Sequence, residues 1–160
     1  MCRNRRFDMK VCVCSDSHGN ATGLQEMLEM EQPQVVLFLG DGERDFRNVD
    51  LPRGTMMYAV AGNCDFMSME PPWRKVRLEG VTIFMTHGHY YGVKSGSERL
   101  MERAAEEQVH LVVHGHTHQK ELKEENGITL LCPGSIGVQT GNYAVLEIEN
   151  TSFNVCLKQL

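Results

Sequence analysis

Five short apolar runs in this chain each break off at a polar turn, and that pattern constrains the fold more than any other feature. The runs are Met9–Cys14, Val35–Leu39, Met56–Ala61, Val81–Thr86 and Leu111–Val113. Behind them stand Ser15-Asp16-Ser17-His18, Gly40-Asp41-Gly42, Gly62-Asn63-Cys64-Asp65, His87-Gly88-His89 and His114-Gly115-His116-Thr117-His118. Short apolar segments bounded by Gly, Asp, Asn and Ser read as buried strands that end in loops. Between the first two runs, Leu24, Met27 and Leu28 recur at helical spacing, with Asn20 or Thr22 able to cap the helix and Pro33 to stop it. A strand, a helix and a strand in that order imply parallel pairing.

The remainder continues as strands and one helix. Trp73–Leu78 and Val81–Thr86 flank Glu79-Gly80, a two-residue hairpin turn, and Leu100, Met101, Ala104 and Ala105 mark a helix over Ser97–Gln108. Lys120–Glu125, Ile128–Cys132, Tyr143–Ile148 and Phe153–Leu157 are strand-like, separated by the turn residues Asn126-Gly127, Pro133-Gly134-Ser135 and Glu149-Asn150. With no repeat and no linker, the simplest architecture is one two-sheet α/β layered domain over residues 9–160. Residues 1–8 hold three Arg without periodicity and read as a tail, or as an alternative start ahead of Met9.

Composition narrows the function classes. At 160 residues and 41% hydrophobic, the chain can build one core. Its net charge of −5 lacks the Lys and Arg surplus that generic nucleic-acid or anionic-membrane binding needs, so neither partner is expected. No apolar run approaches the roughly 20 residues of a membrane span. Six cysteines in a chain too large to need stapling, with no apolar export segment ahead of the first strand, predict a reducing, cytoplasmic setting.

The polar turns carry the chemistry. Asp16, His18, Asp41, Asn63, His87, His116 and His118 all follow directly on strand ends, where ligand sites of α/β folds form. Six of the seven histidines fall in these segments, only His110 lying outside them. Imidazoles, carboxylates and one amide suit a pair of borderline divalent metals. Alternation along an extended chain puts Asp16 and His18 on one side, able to clasp one ion together. Two divalent ions among two carboxylates and neutral imidazoles leave a positive centre that attracts an anion. Such a pair lowers the pKa of a shared water and stabilises charge in an in-line displacement, which fits phosphoester hydrolysis.

Asp16-x-His18, Gly40-Asp41, Gly62-Asn63-Cys64-Asp65, Thr86-His87-Gly88-His89 and Gly115-His116-Thr117-His118 together resemble the calcineurin-like metallophosphoesterases, and Pro133-Gly134-Ser135 resembles their small bacterial and archaeal phosphodiesterase branch. The resemblance runs from Met9 to the C-terminus. It implies a four-layer α/β/β/α sandwich of two mixed sheets, the metallo-dependent phosphatase-like fold. It also implies that Asp16, His18 and His118 hold one ion, that Asn63, His87 and His116 hold a second, and that Asp41 bridges them. A hydroxide shared by the two ions would attack phosphorus, with Asn63 helping to orient the phosphate. Manganese is the first expectation, with iron, zinc or nickel as alternatives, and no thiolate ligand is expected.

One departure bears on substrate. Many members carry His after the motif Asn, where it protonates the leaving oxygen; this chain has Cys64, whose thiol with a pKa near about 8.5 suits that task poorly. Good leaving groups should therefore outpace alkoxides. The small phosphodiesterase branch shares the Cys, which implies diesters, with Asn63, Cys64 and His89 lining the substrate position. His89 is either an acid or phosphate contact, or a hydrogen-bonding support. His114 is expected to support its neighbours, and Cys12 and Cys14 to be core residues. Met56, Met57, Met67, Met69 and Trp73 could rim a cleft, form an interface between copies in a dimer or tetramer, or simply pack. Two alternatives stand beside the hydrolase: a non-catalytic interaction scaffold like the retromer subunit that resembles this family, and a recombination-repair type nuclease. The seven filled ligand positions disfavour the first, and the acidic charge disfavours the second.

Overall fold

A computed structural model describes residues 7–160; the expected tail thus lies mostly outside the described residues. Strands β1 (Met9–Cys14), β2 (Val35–Phe38), β3 (Met56–Ala59), β9 (Asn142–Glu149) and β10 (Ser152–Gln159) form one sheet in the order β10-β9-β1-β2-β3. Strands β4 (Trp73–Leu78), β5 (Val81–Thr86), β6 (Leu111–Val113), β7 (Lys120–Glu125) and β8 (Ile128–Pro133) form the other, in the order β4-β5-β6-β8-β7. Both sheets are mixed. The pairs β1–β2, β2–β3, β5–β6 and β6–β8 are parallel, and the remaining pairs are antiparallel hairpins or, for β1–β9, a long-range return.

Alternation along the strands sorts the core into three apolar seams. Val11 and Val13 of β1 face the second sheet with Leu37, Ile83, Met85, Leu111, Val113 and Leu131. Their neighbours Cys12 and Cys14 face Leu24, Met27 and Leu28 of helix α1 (Ala21–Glu31) and Phe46 of α2 (Glu43–Arg47). Outside the second sheet, Phe84, Val112 and Leu130 pack on Leu100, Met101 and Ala104 of α3 (Glu98–Glu106). Helix, sheet, sheet, helix is the order, so the expected four-layer sandwich is observed. Each fully buried Leu or Met on α1 contributes about 1.5–3 kcal/mol of apolar burial. Burial also settles Cys12 and Cys14 as core residues: it pushes the Cys12 thiol up to about 12 and that of Cys14 well above its ordinary value.

Local signals explain the element ends. Asn20, rather than Thr22, caps α1, its Oδ1 accepting from Gly23 N at 3.0 Å. Strand β3 stops at Ala59, short of the expected Ala61, because the Ala61 amide donates to Pro71 O instead of continuing the ladder. Strands β9 and β10 run longer than their apolar cores because they pair with each other along their full length, from Ser152↔Glu149 to Gln159↔Asn142. Helix α2 buries only Phe46, too little for any periodic signal in the sequence.

The far end of α1 is tied down by a buried carboxylate. Glu31 accepts from Tyr143 Oη at 2.8 Å and Lys158 Nζ at 2.7 Å, with Lys10 Nζ at 3.4 Å. Burial opposes its ionisation, but the Lys158 and Tyr143 hydrogen bonds and the Lys10 charge outweigh that and hold its carboxyl below the ordinary value. A carboxylate with a lowered native pKa stabilises the fold above its unfolded pKa and loses that contribution as pH falls through the native value. Glu31→Gln should therefore cost about 1–2 kcal/mol at neutral pH, discounted for the solvated lysines. In urea titrations repeated at successively lower pH, the gap from the wild type should shrink as the carboxyl of the parent protein takes up its proton.

Candidate metal centre

The five polar turns meet at one end of the two sheets because β1, β2, β3, β5 and β6 deliver their C-terminal ends to the same side. Backbone hydrogen bonds lace the turns together. Asp16 N donates to Gly40 O at 2.9 Å, His18 N to Asp41 O at 3.3 Å, and Gly115 N to His87 O at 3.0 Å. The Pro133-Gly134-Ser135 turn belongs to the same lacing, since Ser135 Oγ donates to Asp16 O at 2.8 Å and Ile136 N to Ser15 O at 3.0 Å.

Among the described residues, eleven non-glycine positions have left-handed backbone, and five of them are expected metal ligands: Asp16, His18, Asp41, His116 and His118, with φ of 56°, 41°, 59°, 71° and 59°. Such a conformation costs of order 1–3 kcal/mol each and persists only where the surroundings over-determine it. The geometry corrects one sequence argument. Strand β1 ends at Cys14, so Asp16 and His18 converge because their backbones curl, not because an extended pleat aligns them.

The side chains form two adjoining donor groups, Asp16 with His18 and His118, and Asp41 with His87 and His116. His118 Nε2 lies 3.0 Å and His18 Nε2 3.6 Å from Asp16 Oδ1. His87 Nε2 lies 3.3 Å from Asp41 Oδ2, 3.9 Å from Asp16 Oδ1 and 3.2 Å from His116 Nδ1. His18 Nε2 also sits 3.7 Å from Asp41 Oδ2, so Asp41 stands between the two groups. His87 Nδ1 donates to Leu39 O at 2.7 Å, which fixes its tautomer and leaves Nε2 facing the carboxylates. Carboxylates and imidazoles at these separations suit divalent metals of the borderline class.

Charge is distributed to match. Burial disfavours the Asp41 carboxylate, yet the hydrogen bond and charge of His87 and the hydrogen bonds from Cys64 hold its carboxyl well below the ordinary range. Burial also lowers His87, but Asp41 and Asp16 more than compensate and raise it. His116 is pushed down to about 4 by burial and by the charges of His87 and Lys94, which leaves it a neutral donor at physiological pH.

The remaining expected residues take the following places. Asn63 is exposed on the loop after β3, its Nδ2 3.6 Å from Cys64 Sγ. His89 shares a cleft of about 480 Å³ with Asn63, its Nδ1 buried and lacking a hydrogen-bond partner among the described residues. Cys64, not counted among the donors on sequence grounds, brings Sγ into a third group with His18 and Asp41. His114 is buried, with Nδ1 donating to Gly115 O at 2.9 Å, consistent with support rather than ligation. Met67 and Met69 are not core residues; they are 98% and 89% exposed, and Met67 stands between the Asn63 cleft and one of about 550 Å³ that opens onto His18, Asp41 and Cys64.

Sequence reasoning assigned no role to Asp65, which the structure makes central. Its carboxylate accepts from four backbone amides, those of Asp41 at 2.7 Å, Gly42 at 2.9 Å, Glu43 at 3.0 Å and Gly62 at 2.8 Å. It thereby clamps the loop after β2 onto the loop after β3. The loops lie so close that a Cβ on Gly62 would collide with Asp41. Cys64 N then donates to Asp41 Oδ1 at 2.8 Å and aims Oδ2 at the histidines. Asp45 does a similar service for the first loop, accepting from Ser17 Oγ at 2.5 Å and Gly19 N at 2.8 Å. An acidic residue after Asn63 was visible, but its four partners come from folding.

Comparison with known proteins places this geometry in a family. The calcineurin-like phosphoesterase superfamily domain matches residues 9–151. The chain is 32% identical to a Bacillus subtilis protein named "Probable metallophosphoesterase YsnB" over 154 residues, covering 92% of this chain and 89% of that one. It is 28% identical to the Escherichia coli K12 phosphodiesterase YfcE over 168 residues, covering 87% and 88%. A crystal structure of a predicted phosphoesterase from Streptococcus pneumoniae superposes with a TM-score of 0.80 at 28% identity, covering 94% of this chain and 89% of that chain.

The Asp65 clamp is testable. An amide at position 65 offers one acceptor oxygen and turns N–H groups toward backbone donors, so Asp65→Asn should loosen both loops. Loss of a partner that orients metal ligands costs roughly 10- to 100-fold in metal affinity. Calorimetric titration with Mn²⁺ should register a weakening of that order, and unchanged affinity would refute the clamp.

Proposed function

Because the chain belongs to the calcineurin-like phosphoesterase superfamily, we propose that its residues 9–160 form a single catalytic unit that hydrolyses small phosphodiesters at a dinuclear metal centre. That the chain is a metal-dependent phosphoester hydrolase follows from the family and from relatives named metallophosphoesterase and phosphodiesterase. The observation that carries the dinuclear reading is the pair of adjoining donor groups with Asp41 between them.

In this reading Asp16, His18 and His118 hold one ion, Asn63, His87 and His116 the other, and Asp41 bridges. Two divalent cations so placed supply an activated water and polarise a phosphoryl oxygen. Manganese is the first candidate, with iron, zinc or nickel as alternatives. The protein's own residues do the positioning. Cys64 N fixes Asp41 Oδ1, the Leu39 carbonyl fixes the His87 ring, and the left-handed turns hold the donors in place before substrate arrives. Asn63, exposed beside the centre, is free to reach a phosphate oxygen, and His89, with a ring nitrogen unpartnered in the same cleft, would serve as an acid or phosphate contact there.

Two features favour diesters. Clefts open on both sides of Met67, giving each organic substituent of a diester its own space. Cys64 is a poor proton donor, its thiol raised by burial and by Asp41, so activated leaving groups should react fastest. The acidic net charge of −5 argues against a polynucleotide substrate. Among the described residues no helix is long and apolar enough to cross a membrane. Buried thiols at Cys12, Cys14 and Cys132 suit a reducing, cytoplasmic setting. All seven ligand positions are filled, which favours the hydrolase over a scaffold with an impaired site.

Chelator-stripped protein should lose hydrolysis of a bis-aryl phosphate and regain it with Mn²⁺, with aryl diesters turned over faster than monoesters. Asp41→Asn should lower kcat by more than the roughly 10- to 100-fold that follows loss of a residue merely orienting a ligand. Full activity of that variant, or binding without turnover after Mn²⁺ loading, would sink the hydrolase assignment.

A further inference from the structure

We propose that Cys64 completes a second metal site with His18 and Asp41, selective for thiophilic ions, that competes with the hydrolytic centre for those two side chains. A ring nitrogen of His18, a carboxylate oxygen of Asp41 and Cys64 Sγ lie within 4.8 Å of one another, and His18 Nε2 is 3.7 Å from Asp41 Oδ2. Donors bound to one ion at about 2.0–2.3 Å stand at separations of this size after small side-chain adjustments. The thiol is exposed, whereas Cys12, Cys14 and Cys132 are buried. It lines the same cleft of about 550 Å³ as His18 and Asp41, which gives an ion an entry path and leaves one coordination position open to water.

The donor types decide which ion is taken. Thiolate, imidazole and carboxylate together suit zinc or cadmium, whereas Mn²⁺ favours oxygen and nitrogen. Binding breaks the Cys64 S–H bond, forms a sulfur–metal bond and releases one proton to water, with no change of oxidation state. The backbone already turns the thiol this way, because Cys64 N is bound to Asp41 Oδ1 at 2.8 Å. His18 and Asp41 cannot serve this ion and the hydrolytic pair at once, so a thiophilic cation displaces Mn²⁺ and silences the enzyme. The competition rests on the dinuclear reading; the three-donor site rests on geometry alone.

Cadmium titration of the metal-stripped full chain, followed by thiolate-to-cadmium charge-transfer absorption, reads the site without turnover. The wild type should show a saturable band, Cys64→Ser should lose it, and His18→Asn should weaken the binding that produces it. A band that survives in Cys64→Ser, or equally tight binding in His18→Asn, overturns the proposal, the latter because a lone thiol would then suffice. With Mn²⁺-loaded protein, electron paramagnetic resonance of released Mn²⁺ should show displacement by Cd²⁺ in the wild type and much less in Cys64→Ser. Equal release from both would overturn the competition. Lack of hydrolysis in every Mn²⁺-loaded preparation would count against the phosphodiesterase reading alone, because the absorption band does not depend on it.

Discussion

Two carboxyl side chains are buried side by side, Asp16 at 0% and Asp41 at 4% exposure, and the architecture of the site follows from making that tolerable. A charge removed from water must be matched by hydrogen bonds or opposite charge. Asp16 receives Ser15 Oγ at 2.5 Å, the His116 amide at 3.0 Å and His118 Nε2 at 3.0 Å. Asp41 receives the Cys64 amide and faces His87. Most of these partners come from loops distant in sequence, so satisfying the two charges ties the loops after β1, β2, β3, β5 and β6 into one body. The electrostatic requirement of the site and the mechanical closure of that end of the sandwich are the same set of contacts.

The closure is tight enough to dictate residue types that carry no chemistry themselves. Gly115 is one, since a Cβ there would run into the side chains of Ser15 and Asp16. Asp65 is the other extreme, a charged residue whose role is wholly structural in its contacts. Four backbone amides around its carboxylate offset its burial, and they include those of Gly42 and Glu43, at the start of the short helix α2. Placing a negative group at that start also satisfies amides that have no partner within the helix. The loop that carries Asp41 thus rests on a further carboxylate that lies outside the donor groups.

Much of this was legible because it is local. The hairpin over Trp73–Thr86 was visible from Glu79-Gly80, and the turn between the strands Lys120–Glu125 and Ile128–Cys132 from Asn126-Gly127, with φ of 53° and 77° as a tight turn of that kind demands. The strand ends are punctuated so sharply that they singled out Asp16, His18, Asp41, His87, His116 and His118, which the fold brings together as donor groups. What could not be read was tertiary. Nothing in the sequence around Asp65 reveals that three of its four amide partners lie more than twenty residues earlier, and a five-residue helix with one buried side chain leaves no periodic trace. The convergence of Asp16 and His18 was anticipated for the wrong geometric reason, because left-handed backbone at non-glycine residues is imposed by neighbouring loops.

The departure at Cys64 shows how one position can serve several demands. Its backbone amide is part of the scaffold that aims Asp41, a contact any residue other than proline would supply. A histidine there would offer a proton to the leaving group; the thiol, raised by burial and by Asp41, holds its proton instead. The rim beside it is apolar: Phe66 and Met67 line the clefts, and they and Met69 are more than four-fifths exposed. Flexible thioethers make an adaptable apolar wall with few fixed hydrogen bonds. Under the proposed phosphodiesterase reading, such a rim would meet the organic arms of a substrate by shape and apolar contact, while the charged centre would meet the phosphoryl group they share.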